Sequence, residues 1–150
     1  VEDARTILER SGVAGLLVHP DQLPGESTMD DSHKTWRMSA IAEAAALGLE
    51  LTHGVAAKLV NVYLKAGLVC GGHHDHPRVQ ALHPPIDSVL LTELYKHDVG
   101  GLRAAWAVAR TARWSKLSSD QYEATIAAIR QALGPGTPLW RIEEHWRGFQ

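Results

Sequence analysis

The chain has 150 residues, 45% hydrophobic and 21% charged, a length and balance that suit one domain with its own apolar core. A net charge of −2 excludes a generally basic nucleic-acid binder, and a single cysteine, Cys70, excludes an internal disulfide framework. No uninterrupted apolar run reaches the length of a bilayer-crossing helix, so no membrane partner is expected. No signal peptide opens the chain, and the cytoplasm is the expected location; Val1 rather than Met stands first, so further residues are expected before it. Charge is uneven: residues 1–50 hold nine acids and four bases, a balance of −5, which leaves +3 for residues 51–150.

Residues 3–10 read as a short helix. Residues 19–32, "HPDQLPGESTMDDS", are rich in turn formers and read as a loop. A helix is predicted from Asp31 or Ser32 to about Leu47, with Met38, Ile41, Ala42, Ala45 and Leu49 as its apolar stripe. "GLELTHG" interrupts it. The next helix, "HGVAAKLVNVYLK" over 53–65, is read with Val55, Leu59, Val62 and Ala66 inward and Lys58, Asn61 and Lys65 on a separate polar stripe. "GLVCGGHHDHP" reads as a loop because of its paired glycines and closing proline.

A helix after Pro84-Pro85 carries Val89, Leu90 and Leu94 and stops at Gly100-Gly101. Another over 102–114 buries Leu102, Ala105, Val108 and Ala109. Ser118 and Gln121 resemble a capping box that opens a helix with Tyr122, Ile126, Ile129 and Leu133 inward. Thr137 and Pro138 are expected to cap and start a last helix that uses Leu139, Ile142 and Trp146. No segment alternates with period two. The expected fold is all-α: one compact multi-helix domain over 1–150 with a helix-hairpin-helix-like element at about 38–66.

About twenty residues past the second helix of that pair, "LHPPIDSVLL" presents Asp87 behind two prolines at the mouth of a helix, where a carboxylate gains from unpaired N–H groups and the helix dipole. "HGVAAKLVNVYLK" followed by "HPPIDSVLL" resembles the helix-hairpin-helix DNA glycosylases, in particular the 8-oxoguanine glycosylase/lyase branch. The resemblance covers roughly residues 38–95. It implies that Gly54 is a hairpin glycine at DNA, that Lys58 is a Schiff-base lysine, and that Asp87 is the catalytic aspartate. Ala56 stands where that family has a second hairpin glycine. The Gly-x-x-x-Lys-x-x-Asn pattern with the later "PPID" is also similar to small uncharacterised bacterial proteins. The implied function is a DNA-repair-like glycosylase and AP lyase acting on a flipped base, with DNA as partner and no cofactor.

Arg103, Trp106, Arg110 and Arg113 fall at steps of three, four and three, on one side of a helix, and no acid lies between Gly100 and Ser119. Arginines with an interleaved aromatic suit a phosphate backbone and base stacking, so these four join Asn61, Lys65 and His83 as expected substrate or DNA contacts. A solvated face over a core tryptophan is the other reading. "HHDHP" gathers His73, His74 and His76, but neighbours in sequence rarely point at one metal, and no metal site is expected. The alternative to an enzyme is a non-catalytic helical module that binds DNA or protein.

Overall fold

Helices occupy the predicted segments and no strand occurs among the described residues, so the fold is all-α. The computed structural model describes residues 1–147; residues 148–150, part of the expected 1–150 domain, lie outside them. The helices are α1 (Glu2–Arg10), α2 (Met29–Ala46), α3 (His53–Leu64), α4 (Pro77–Gln80), α5 (Ser88–Lys96), α6 (Arg103–Ala112) and α7 (Ser119–Leu133). The stretch expected as loop before α2 contains short 3₁₀ turns at Pro20–Gln22 and Glu26–Thr28, single turns too short to leave a periodicity. The last predicted helix is a 3₁₀ stretch, Leu139–His145, and Thr137 does not cap it: its hydroxyl donates back to the Leu133 carbonyl at 3.2 Å.

Local signals explain the helix starts. The Thr52 side chain accepts from Val55 N–H at the head of α3, the Asp87 carboxylate accepts from Leu90 N–H at the head of α5, and Ser118 and Gln121 form the predicted capping box of α7. Beyond α3 the chain does not open into a loop. It stays wound as a π-helix over Lys65–His73, and only at Gly72, with φ of 97°, does the backbone leave helical geometry. The wound segment His53–His73 is thus 21 residues long and contains an 18-residue window with a mean hydropathy of 1.2, long and apolar enough by length and composition to cross a membrane. It packs against α2, α7 and the Trp114–Lys116 turn.

Two helices are rotated from the expected phase. In α2 the buried residues are Met29, His33, Arg37, Ala40 and Ala44, while the expected Met38 is 57% exposed. In α3 they are Gly54, Ala56, Ala57, Val60, Asn61 and Leu64, while Val62 is 47% exposed. The alanines Ala40, Ala44 and Ala56 share one cluster with Ile7, and small side chains let the two helices approach closely. Val89 and Val108 are likewise exposed, and the inward faces of α5 and α6 carry Leu90, Leu91, Leu94, Trp106 and Ala109. These pack with Tyr122, Ile126 and Ile129 of α7, each large apolar side chain contributing about 1.5–3 kcal/mol on burial. A second cluster joins Leu8, Val13 and Met29 to Val60, Leu64 and Leu68.

Gly54 is a packing glycine and not a surface hairpin residue. It is buried, its N–H donates to the Leu117 carbonyl at 3.2 Å, and a Cβ there would overlap the Trp114 carbonyl oxygen. That close approach lays the Trp114–Lys116 turn along α3.

Candidate active site

Lys58 and Asp87, 29 residues apart, converge. Lys58 Nζ lies 3.5 Å from Asp87 Oδ2, with the side chains 31% and 21% exposed. The ammonium also sits 4.5 Å from the centre of the Trp114 ring, a cation–π contact placed by the Gly54 approach. Asp87 is fixed from two further directions: Oδ1 accepts from Leu90 N–H at 2.9 Å, and the Trp146 indole N–H reaches Oδ1 at 3.2 Å and Oδ2 at 3.1 Å. A half-exposed ion pair of this kind contributes about 0–1 kcal/mol, so stability alone is a weak reason for the arrangement.

The pair opens into a cleft of about 360 Å³, within the size range of small-molecule sites. Val62, Ala66 and Pro85 give it apolar lining, joined by Cys70 and Trp146. Lys65 is held there by Glu143, Nζ to Oε1 at 2.6 Å. A second, mostly apolar hollow of about 490 Å³ shares Lys58, Val62 and Ala66 with this cleft and is lined also by Leu59, Tyr63 and Trp114.

No family model, no curated protein and no solved structure matches the chain. What the cleft can do follows from its own chemistry.

Behind the cleft lies a buried polar chain. Arg37, fully buried, can only donate, so His33 Nδ1, 2.8 Å from Arg37 Nη1, is the acceptor and the His33 proton sits on Nε2. That N–H donates to Asn61 Oδ1 at 2.6 Å. The Asn61 amide nitrogen donates to the Pro84 carbonyl at 3.1 Å and to the Tyr122 hydroxyl oxygen at 3.0 Å. The Tyr122 hydroxyl then donates to His83 Nδ1 at 3.0 Å, and His83 Nε2–H donates to Asp30 Oδ1 at 2.8 Å. Arg130 closes the chain with both terminal nitrogens on the Asp30 carboxylate. One proton arrangement satisfies every member. The chain pins His83 and Pro84, and so sets the diproline lead-in that delivers Asp87.

These positions revise several expectations. Asn61 is 2% exposed and turned inward, away from Lys58 and Lys65, and His83 is buried with it. Trp106 is fully buried, its indole N–H donating to the Val99 carbonyl at 2.9 Å, so stacking on a base is closed to it. Arg103 donates to the Tyr95 and Lys96 carbonyls. Arg113 is not on the helix face at all: it caps α6 with φ of 65°. His76 holds Asp21 at 3.0 Å and His74 lies 3.4 Å from Asp75, and among the described residues no group of three or more metal-ligating side chains converges. Missed entirely were the buried His33 and Arg37, and with them the hydrogen-bonding role of Tyr122, whose inward position was expected. The available signal was His33 and Arg37 four apart in α2, with Asn61 as the lone amide inside an apolar helix.

Burial drives the His33 and His83 imidazoles below their ordinary value of 6.5, and it raises the Tyr122 hydroxyl. The His83 hydrogen bond, helped by Arg130, holds the Asp30 carboxyl below its usual range. Both histidines therefore fold neutral, while the unfolded chain takes up protons below pH 6.5. Stability is complete above that pH and falls as pH drops toward the folded values, by about 1.4 kcal/mol per pH unit for each histidine. Urea midpoints at pH 7.5 and 5.5 check this; equal midpoints would mean that the histidines are not neutral and buried.

Proposed function

We propose that Lys58 and Asp87 are the reacting pair of a DNA-repair-like glycosylase with AP-lyase chemistry, acting on a nucleotide turned out of the duplex. The observation that carries the reading is the 3.5 Å approach of an amine and a carboxylate from different helices at the mouth of a partly apolar cleft. After Lys58 Nζ gives up a proton, its lone pair attacks the sugar C1′. The bond from C1′ to the base breaks, and the base leaves with the electron pair and takes a proton. The secondary ammonium now on C1′ loses a proton to Asp87, its lone pair forms the C1′=N bond as C1′–O4′ breaks, and O4′ leaves with the electron pair of that bond and takes the proton from Asp87, which leaves a Schiff base on Lys58. Asp87 stabilises the positive charge that develops on the sugar and serves as the nearby proton acceptor. The hollow beside Trp114 gives an extruded base an apolar surface.

One observation favours the alternative of a non-catalytic helical module. Both Asp87 oxygens already accept hydrogen bonds from Trp146, and one caps α5 as well, an arrangement that would serve as a clip between the C-terminal stretch and α5.

Borohydride separates the two. With oligonucleotides carrying an abasic site, uracil or 8-oxoguanine, the wild-type chain is expected to form a reduced covalent adduct. Lys58→Met removes it, Asp87→Asn lowers its rate by about 10²–10⁴, and Lys65→Met retains it. An adduct that survives Lys58→Met, or no adduct with any of the three, leaves only the binding module.

A further inference from the structure

The groove between α5, α6 and the Trp114 turn encloses about 560 Å³ and differs from its neighbours in charge. The Lys58 cleft balances Lys58 and Lys65 with Asp87 and Glu143, and the groove beside Arg130 includes Glu26. This groove is lined by Arg110 and Arg113 and by no carboxylate. Neither arginine has a carboxylate partner among the described residues, whereas Lys58, Lys65, Lys96 and Arg130 each have one. The hydroxyls of Ser88, Thr92, Thr111 and Ser115 supply neutral donors around the two cations.

Two further observations indicate that the arrangement is held in place. The Arg110 guanidinium lies 4.5 Å over the Tyr95 ring, which orients its planar fork. Arg113 takes a positive φ, 65° with ψ of 127°, a conformation that disfavours a side chain with a Cβ and is kept where surrounding structure imposes it. The turn it begins places Trp114 as the common wall of this groove and of the hollow beside Lys58.

We infer that this groove binds the phosphate of a nucleotide. A guanidinium fork pairs two N–H groups with two phosphate oxygens, hydroxyl donors complete the shell, and the volume leaves room for the attached nucleoside. The inference rests on these residues and not on the Lys58–Asp87 reaction. The phosphate belongs either to a free nucleotide or to a nucleic-acid strand.

Binding is tested by following the amide signals of Thr92 and Thr111 and the Trp114 indole signal by NMR. The probes are inorganic phosphate, thymidine monophosphate and a single-stranded ten-nucleotide oligothymidine. All three signals are expected to shift. The double variant Arg110→Gln, Arg113→Gln, checked for helicity, is expected to bind at least about tenfold more weakly and to lower the salt slope for the oligonucleotide by about 1.4, the share of two phosphate contacts. Thr92→Val weakens binding less and at constant salt slope. Arg10→Gln, which removes an exposed charge outside the groove, is the control. Equal affinity for monophosphate and oligonucleotide identifies a free nucleotide, and much tighter binding of the oligonucleotide identifies a strand. No shift with any probe, or a double variant that binds like Arg10→Gln, overturns the inference. Loss of borohydride trapping with intact phosphate binding would sink the Lys58 reading alone, and the reverse would sink this one alone.

Discussion

Arg37→Ala is expected to cost about 3–5 kcal/mol of stability and lower the thermal midpoint by about 10–15 °C. The side chain is fully buried and ties three elements together. Nε donates to His53 Nδ1 at 3.3 Å, Nη1 to His33 at 2.8 Å, and Nη2 to Ser119 Oγ and Glu123 Oε1, both at 3.1 Å. The guanidinium carbon lies 4.5 Å over the Tyr122 ring. Truncation opens a cavity and strands His33 Nδ1 as a buried acceptor without a donor, which by itself costs about 1–3 kcal/mol. Arg37→Met keeps most of the stem volume and loses only the head group, so its penalty is expected to be roughly half as large. Urea unfolding of the three proteins measures both differences. A loss below about 1 kcal/mol in Arg37→Ala would mean that the guanidinium is not the hub of α2, α3 and α7.

The same residue explains why the α2 face was misread. Periodicity weighs apolar residues, and the inward face of α2 is Met29, His33, Arg37, Ala40 and Ala44, two polar side chains and two of the smallest apolar ones. Met38, Ile41, Ala42, Ala45 and Leu49 score better as a stripe, yet Met38, Ala42 and Ala45 are exposed, Leu49 lies past the end of the helix, and only Ile41 packs against the core. In α3 the inward face includes Gly54, two alanines and Asn61, and again the larger Val55 and Val62 carry the pattern while Val62 is exposed and Val55 only partly buried. A helix that buries a satisfied polar network looks rotated to any argument that equates polar with exposed. Where the interior face is carried mainly by large side chains, as with Tyr122, Ile126 and Ile129 of α7, the phase was legible even though the Tyr122 hydroxyl joins the polar chain.

The candidate site divides along the same line. Asp87 was legible because capping is local: two prolines, a carboxylate and a following apolar run suffice. Its meeting with Lys58 depends on how α3 and α5 pack, and that is set by residues whose roles are long-range: Asn61 to Pro84, Gly54 to the Trp114 turn, Trp146 to Asp87. Trp106 was misjudged for the opposite reason. Its place among Arg103 and Arg110 follows from helical spacing, but its inward side is decided by α5 and α7.

Asn61 carries the link between the buried chain and the cleft, and Asn61→Leu is the variant that exposes it. Leucine matches asparagine in shape but leaves His33 Nε2–H without an acceptor, the Pro84 carbonyl without a donor and the Tyr122 oxygen one partner short. At about 1–3 kcal/mol for each unsatisfied buried group the expected loss is about 3–5 kcal/mol. The second effect is positional. Pro84 stands three residues before Asp87, and Asn61 one turn after Lys58, so one amide fixes both ends of the 3.5 Å contact. With Pro84 released, the carboxylate is expected to lose its register with the amine. Tyr122→Phe is the comparison: it removes a buried hydroxyl at a cost of about 1–2 kcal/mol and leaves the Asn61–Pro84 bond in place. In a folded sample, Asp87→Asn should shift the Lys58 side-chain NMR signals in the wild type and in Tyr122→Phe, and leave them unmoved in Asn61→Leu. Were that response to persist in Asn61→Leu, Asn61 would be a stability residue only, and the placement of Asp87 would have to come from Trp146 and the α5 cap alone.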